Sequence, residues 1–436
     1  MMTSDAPAAP SAADRKIVFH VEVRLREQSD LSLADAEAAT RRLLANMSLV
    51  YEDQVLPFAD EPLLRSHAEA VAVVDTGSAL ARGTVVMPWH VSLQVYAYQL
   101  IDEEPGEEGL DDANDPGQVS YRDWPLPSRS ISGVWEALTY DGDVKAKLLR
   151  YAHSALVFSD AGVDSTLVSF NRVILLHGPP GTGKTSLCTA LAQKLAIRFS
   201  KRFSSAQLVE VNAHSLFSRW FSESGKLVGK LFAKLHELVE DPDALVCVLI
   251  DEVESLSAAR KSNGTEPSDA IRVVNALLTQ LDSLRSRPNV LIMTTSNLPD
   301  SVDVAFVDRA DIKVFIGLPA LSARYHILRS CLCELQAKGI VAVEQLPPPF
   351  EAVTQTSMAA AMAGQALDAA SSLLVVANAA DGLSGRALRK LPFLAHAAAV
   401  SGVNCGGQAM QLGVFLTALL AVTHQELADR AALNRK

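Results

Sequence analysis

The chain has 436 residues, 49% hydrophobic and 20% charged, with a formal net charge of −11 at pH 7. That length and balance describe a soluble globular protein of two or three domains with ample core. The acidic excess argues against non-specific attachment to nucleic acid or to an anionic membrane, although a local basic patch stays compatible with it.

In chain order, residues 1–14 are small and polar, lack the apolar run of a secretory signal, and are expected to be disordered. Residues 15–101 read as an N-terminal α+β domain, with strands at 17–23 and 91–101 and a helix at 34–48. This domain has no catalytic spacing. Residues 102–130 read as an acidic linker. Its first part, 102–117, holds eight carboxylates and no basic residue, which fits a solvated linker or a docking tail. From 131 to 318, apolar strands at 173–176, 208–211, 245–250 and 290–294 alternate with helical patterns, so a parallel sheet covered on both faces is predicted. One helical stripe is Leu227, Val228, Leu231, Phe232 and Leu235. Residues 319–436 turn all-helical, with helices at 322–337, 384–400 and 411–430. The alanine-rich 358–380 favours helix. The apolar stretch 412–422 is too short to cross a bilayer. Cys188 and Cys247 fall in core patterns, as small buried residues in a reducing compartment would. Cys331 and Cys333 lack zinc-ligand spacing.

Chemistry concentrates in Gly178-Pro179-Pro180-Gly181-Thr182-Gly183-Lys184-Thr185, followed by Ser186. A buried strand leads into it, and an amphipathic helix carrying Leu187, Leu191 and Leu195 leaves it. Such a turn aims backbone N–H groups and a helix dipole at one point, where a polyphosphate fits. Lys184 would reach the β- and γ-phosphates, and Thr185 would hold Mg²⁺. The strand 245–250 ends in Asp251-Glu252. The first acid is placed for Mg²⁺ and the second can polarise a water for attack on the γ-phosphate. The strand from 290 ends near Asn297, whose amide can orient that water. Arg309 follows twelve residues later and reads as an arginine finger.

With these elements in this order, the sequence resembles the AAA+ ATPases: GPPGTGKT, LIDEVESL, TTSN and DVAFVDRAD. Within them it is most similar to the pachytene checkpoint, or thyroid-hormone-receptor interactor, family. The stretches that carry this are SLFSRWFSESGKLV at 215–228, GTEPSDAIRVVNALLTQLD at 264–282 and GLSGRALRKLPFLAHA at 382–397. The resemblance implies an α/β P-loop large domain at 131–318, a small helical lid at 319–436, and an N-terminal domain that recognises substrate or adaptor. It implies a sensor arginine at Arg386 and passage of the adenine near Gly133. It also implies a homohexamer that uses ATP and Mg²⁺, and a finger that reaches a neighbouring subunit itself demands an assembly. Trp220 and Phe221 stand where unfoldases of this class carry an aromatic pore loop, although two rings can equally be helix-packing residues. The segment 261–267 is a weaker candidate for a second pore loop. The implied substrates are HORMA-domain proteins, reached through an adaptor and acted on in the nucleus and cytoplasm. No membrane partner and no direct nucleic-acid binding is expected. The alternative is an AAA+ ATPase acting on nucleic acid or on another protein assembly.

Overall fold

The computed structural model describes residues 16–77, 79–108, 121–164, 166–213, 224–255, 267–298, 302, 304–343, 346–353, 368–400 and 409–433. The N-terminal unit holds β1 (Ile17–Leu25), α1 (Leu33–Ala45), β2 (Leu49–Val50), β3 (Gln54–Val55), α2 (Pro62–His67), β4 (Ala68–Val74), β5 (Val85–Val86) and β6 (Val91–Gln99). Its main sheet runs β3-β4-β1-β6, with β1 antiparallel to β4 and parallel to β6. Alternation along β1 sends Phe19, Val21, Val23 and Leu25 into a core shared with α1. Glu22 points to the opposite face and is nevertheless only 6% exposed.

The second unit opens with β7 (Gly106–Glu108), β8 (Tyr121–Leu126), α3 (Val134–Ala137) and α4 (Val144–Asp160). It continues through β9 (Val173–His177), α5 (Lys184–Arg198), β10 (Ser205–Asn212), α6 (Ser224–Val239), β11 (Ala244–Asp251), α7 (Pro267–Leu284), β12 (Val290–Ser296), α8 (Val304–Arg309) and β13 (Ile312–Phe315). The sheet order is β13-β9-β12-β11-β10-β8-β7. The first five strands are mutually parallel, while β8 and β7 add an antiparallel edge. Period-two alternation in β11 splits its residues between two cores. Val246, Val248 and Ile250 meet α6 and α7 on one face, and Leu245, Cys247 and Leu249 meet α5 and α4 on the other.

The two edge strands correct the expectation of a linker over 102–130. Acidic composition hid β7, which pairs antiparallel with residues 121–123 of β8 at one edge of the sheet. Pro125 disguised β8. It is tolerated there because β7 pairs only with residues 121–123, so Pro125 needs no donor on that side. The chain leaving β6 is tied directly to the chain leaving β8. Ile101 N donates to Pro127 O at 2.8 Å, and Arg129 N donates to Ile101 O at 2.9 Å. Gln193 of α5 holds the same segment through both the N–H and the carbonyl of Ser128, each at 2.9 Å.

The helical unit comprises α9 (Leu321–Ala337), α10 (Ala369–Ala379), α11 (Gly385–Ala399) and α12 (Leu412–Leu433). These four pack around Tyr325, Leu328, Leu373, Leu388 and Phe415. The helical reading of 358–380 is seen from 369 onward, and 358–367 lie outside the described residues. Cys188 and Cys247 are buried. Among the described residues, no helix is long and apolar enough to cross a membrane.

Candidate active site

At the C-terminal end of β9 the chain turns sharply at Gly178. Its φ is +145°, and a Cβ there would lie 2.1 Å from Ile316 O, so only glycine fits. The turn is pinned on both sides. Gly178 N donates to Ser296 O at 3.1 Å, and Ile316 N donates to His177 O at 2.8 Å. The chain then enters α5, whose first residue is Lys184, and the free N–H groups of that helix face the loop. Lys184 is 5% exposed, and its ammonium donates to Gly178 O and Pro179 O, both at 2.9 Å. Burial lowers its pKa, against the pull of Glu254, Asp251 and Glu252.

The parallel register brings the ends of β11 and β12 beside this loop. Thr185 Oγ1 donates to Asp251 at 2.9 Å, and the Thr295 hydroxyl donates to the same carboxylate. Thr295 also accepts from Glu252 N at 3.2 Å. Glu252 has φ +59°, a costly left-handed conformation for a side-chain-bearing residue. Asn297 Nδ2 donates to Glu252 Oε1 at 3.4 Å, while Asn297 N donates to Glu254 Oε1 at 3.1 Å. One end of the sheet therefore gathers an ammonium, a hydroxyl beside a carboxylate, and a second carboxylate held by an amide. Such a set can bind a polyphosphate and direct a water at it.

Beside the loop lies a cavity of about 580 Å³. Val134, Leu138 and Tyr140 form one wall, Gly181 to Gly183 with Ser186 another, and Arg386 with Arg389 a third. The N-terminal turn of α11 sits on the loop, where Arg386 N donates to Gly181 O at 3.0 Å. Tyr140 Oη donates to Gly183 O at 3.1 Å, and burial raises its pKa. Gly133 is not among the lining residues. It starts α3 at φ +78°, and that helix supplies the wall. Sequence reading missed Tyr140, Arg389, Thr295 and Glu254. Arg389 had a legible signal, since it stands one turn after Arg386 on the same helix face.

Arg309 is placed away from this cluster. Its Nε and Nη2 hold Asp282 at 2.9 and 2.8 Å, and Nη1 donates to Ala305 O at 2.9 Å. It lines a small cavity with Leu281 and Phe306, to which no loop residue from 178 to 186 contributes among the described residues. Trp220, Phe221 and the segment 261–266 lie outside the described residues.

Comparison with known proteins accords with this geometry. The ATPase family associated with various cellular activities (AAA) matches residues 174–318. The TRIP13-like AAA+ ATPase lid C-terminal domain matches 320–427, and the TRIP13 N-terminal domain matches 14–103. The pachytene checkpoint protein 2 homologue of Oryza sativa subsp. indica is 49% identical over 434 residues, covering 97% of this chain and 90% of that protein. The chain belongs to the pachytene checkpoint protein 2 family. The Homo sapiens homologue is 43% identical over 428 residues, covering 98% of this chain and 97% of that one. The solved structure of C. elegans PCH-2 superimposes with a TM-score of 0.74 at 33% identity, covering 94% of this chain and all of that one. Like its family, the chain is an ATP-binding ATPase with a P-loop sheet, a helical lid and an N-terminal domain.

Proposed function

We propose that this pachytene checkpoint family member is one subunit of a homohexameric ring. The ring uses ATP hydrolysis to unfold HORMA-domain proteins partially, reached through an adaptor, and so takes apart checkpoint or meiotic chromosome-axis complexes in the nucleus and cytoplasm. The observation that supports this reading is the cluster of Lys184, Thr185, Asp251, Glu252 and Asn297 under Arg386, with Arg309 bound away from it on α8. A complete hydrolytic set whose finger is held elsewhere fits a site completed by a neighbouring subunit.

In this mechanism Lys184 and the loop N–H groups bind the triphosphate, and Glu252 takes the proton of the attacking water. Asn297 fixes the Glu252 carboxylate, Arg386 reports nucleotide to the lid, and Arg309 of one subunit serves the site of the next. Mg²⁺, when bound, neutralises charge developing on the phosphates. Thr185 and Asp251 would hold it. A hydroxyl beside one carboxylate suits a hard cation that keeps waters and phosphate oxygens as its other ligands. Trp220 and Phe221 are proposed to grip the unfolding chain through apolar contact.

The test is a Glu252→Gln variant incubated with ATP and cell extract. Retention of HORMA-domain proteins on the arrested ring is expected, and Trp220→Ala is expected to lose remodelling while keeping ATPase. An arrested ring that retains no HORMA-domain protein, together with DNA-stimulated turnover that falls steeply with salt, would replace this reading with a nucleic-acid machine.

A further inference from the structure

The helix that begins at the P-loop carries a buried charged face that the ATPase chemistry does not use. The Lys194 side chain is 3% exposed. Its Nζ lies 2.7 Å from Glu22 of β1 and 2.9 Å from Glu136 of α3. One turn further along α5, Arg198 pairs with Asp75, which follows β4 in the N-terminal unit. The other Asp75 oxygen accepts from the indole Nε1 of Trp135 at 2.6 Å. Trp135 is 4% exposed, and Lys145 lies 5.3 Å from its ring centroid while donating to its carbonyl. Trp135 and Glu136 are flanked in α3 by Val134 and Ala137, and those two line the nucleotide cavity. A four-residue helix thus has one side in the pocket and the other fastened to the N-terminal unit.

The fastening is specific. Asp75 has φ +52°, which a non-glycine residue keeps only where its surroundings over-determine it. Here one carboxylate is gripped by an indole N–H and a guanidinium from two different elements. Burial alone would raise the Asp75 pKa, but Lys194, Arg198 and the Trp135 hydrogen bond together carry it below the ordinary value.

We infer that Asp75 and Glu22 of the N-terminal unit are positioning residues of the nucleotide pocket, holding α3 against α5 so that Val134 and Ala137 face Gly181 and Gly183. Asp75 acts through Trp135, and Glu22 acts through Lys194, which in turn holds Glu136. By linkage, a partner that displaces the N-terminal unit changes nucleotide affinity, and nucleotide changes that partner's affinity by the same factor. The inference needs ATP binding alone, so it stands or falls separately from the remodelling reading.

The test uses the full chain, with steady-state KM and kcat for ATP and direct titration of a fluorescent ADP. Trp135→Phe keeps a ring in place and deletes one N–H. Asp75→Asn keeps an acceptor for Trp135 and removes the charge facing Arg198, whereas Asp75→Ala removes both. Trp135→Phe and Asp75→Ala are each expected to raise KM for ATP and Kd for ADP about fivefold or more. Asp75→Asn is expected to fall between wild type and Asp75→Ala. The double variant should be no worse than the weaker single, because both substitutions break the same link. A purely structural joint would lower thermal stability and leave nucleotide affinity unmoved. Unchanged affinity in folded Trp135→Phe overturns the inference, as does strict additivity in the double variant or a fall in kcat at constant KM. Should Asp75→Ala fail to fold, KM for ATP and Kd for ADP in Trp135→Phe alone decide the matter.

Discussion

Gly178→Ala probes how closely β9 and β13 approach beneath the P-loop. The new Cβ would stand 2.1 Å from Ile316 O and has to retreat by at least 0.9 Å to reach the 3.0 Å that real contacts respect. Neither backbone is free to move, since Ile316 N is bonded to His177 O at 2.8 Å and Gly178 N to Ser296 O at 3.1 Å. Weakening both bonds and forcing an alanine into φ +145° costs roughly 2–6 kcal/mol in sum. A displacement of about 1 Å at the start of the loop is expected to cost on the order of 10²-fold in ATP use. Gly339 supplies the matched control. It too is left-handed, at φ +70°, but a Cβ there meets nothing within 4 Å. Gly339→Ala is therefore expected to lose about 1–2 kcal/mol of stability with ATP turnover unchanged. Thermal unfolding and kcat/KM for ATP, measured on both variants, separate the two costs. Wild-type kcat/KM in Gly178→Ala would refute the claim that this contact sets the loop.

Three further outcomes are expected. Lys194→Met alone should destabilise the chain by about 3–5 kcal/mol, because it leaves Glu22 buried without its cation, and adding Glu22→Leu should restore most of that; a double variant in denaturant unfolding as weak as the sum of the singles would contradict this. His20 has its pKa lowered from 6.5 to about 4 by burial, with Arg198, His153 and Lys194 adding to the shift and Asp75 opposing it. Because the folded value lies below the unfolded one, its contribution is present above pH 6.5 and lost as pH falls toward 4. That amounts to at most about 3 kcal/mol, and His20→Gln should flatten that part of the stability profile although Asp75, Lys194, Arg198 and His153 still surround the site. Arg309→Ala should cut turnover by ~10³-fold, and mixing it with Lys184→Ala subunits should recover part of the activity, since some interfaces then pair an intact finger with an intact loop; no recovery on mixing would place the finger within its own subunit.

Where local pattern and structure coincide, the cause is strong periodicity. The run Val173 to Leu176 before a glycine-rich turn, and the acids closing β11, could be read because apolar burial and phosphate chemistry both leave marks within a few neighbouring residues. β13 was missed because four residues, Ile312 to Phe315, carry too little alternation to stand out from a loop. β8 was missed because its proline and charges are those of a strand near an edge. The Lys194–Glu22 pair joins residues 172 apart, a separation at which one sequence offers no local signal. Its single hint was an acid amid the apolar residues of β1, on the face opposite Phe19, Val21 and Val23. The pocket wall at Tyr140 likewise exists only because α3 folds back onto α5.

The hydrogen bonds joining Ile101 to Pro127 and Arg129 have a mechanical consequence. They short-circuit the stretch between them, so that tension applied to the N-terminal unit travels from β6 straight into the segment leading to α3. A proline at Ile101 would abolish the N–H that donates to Pro127 O and so remove the first of these two ties, while the Asp75–Trp135 and Glu22–Lys194 links remain.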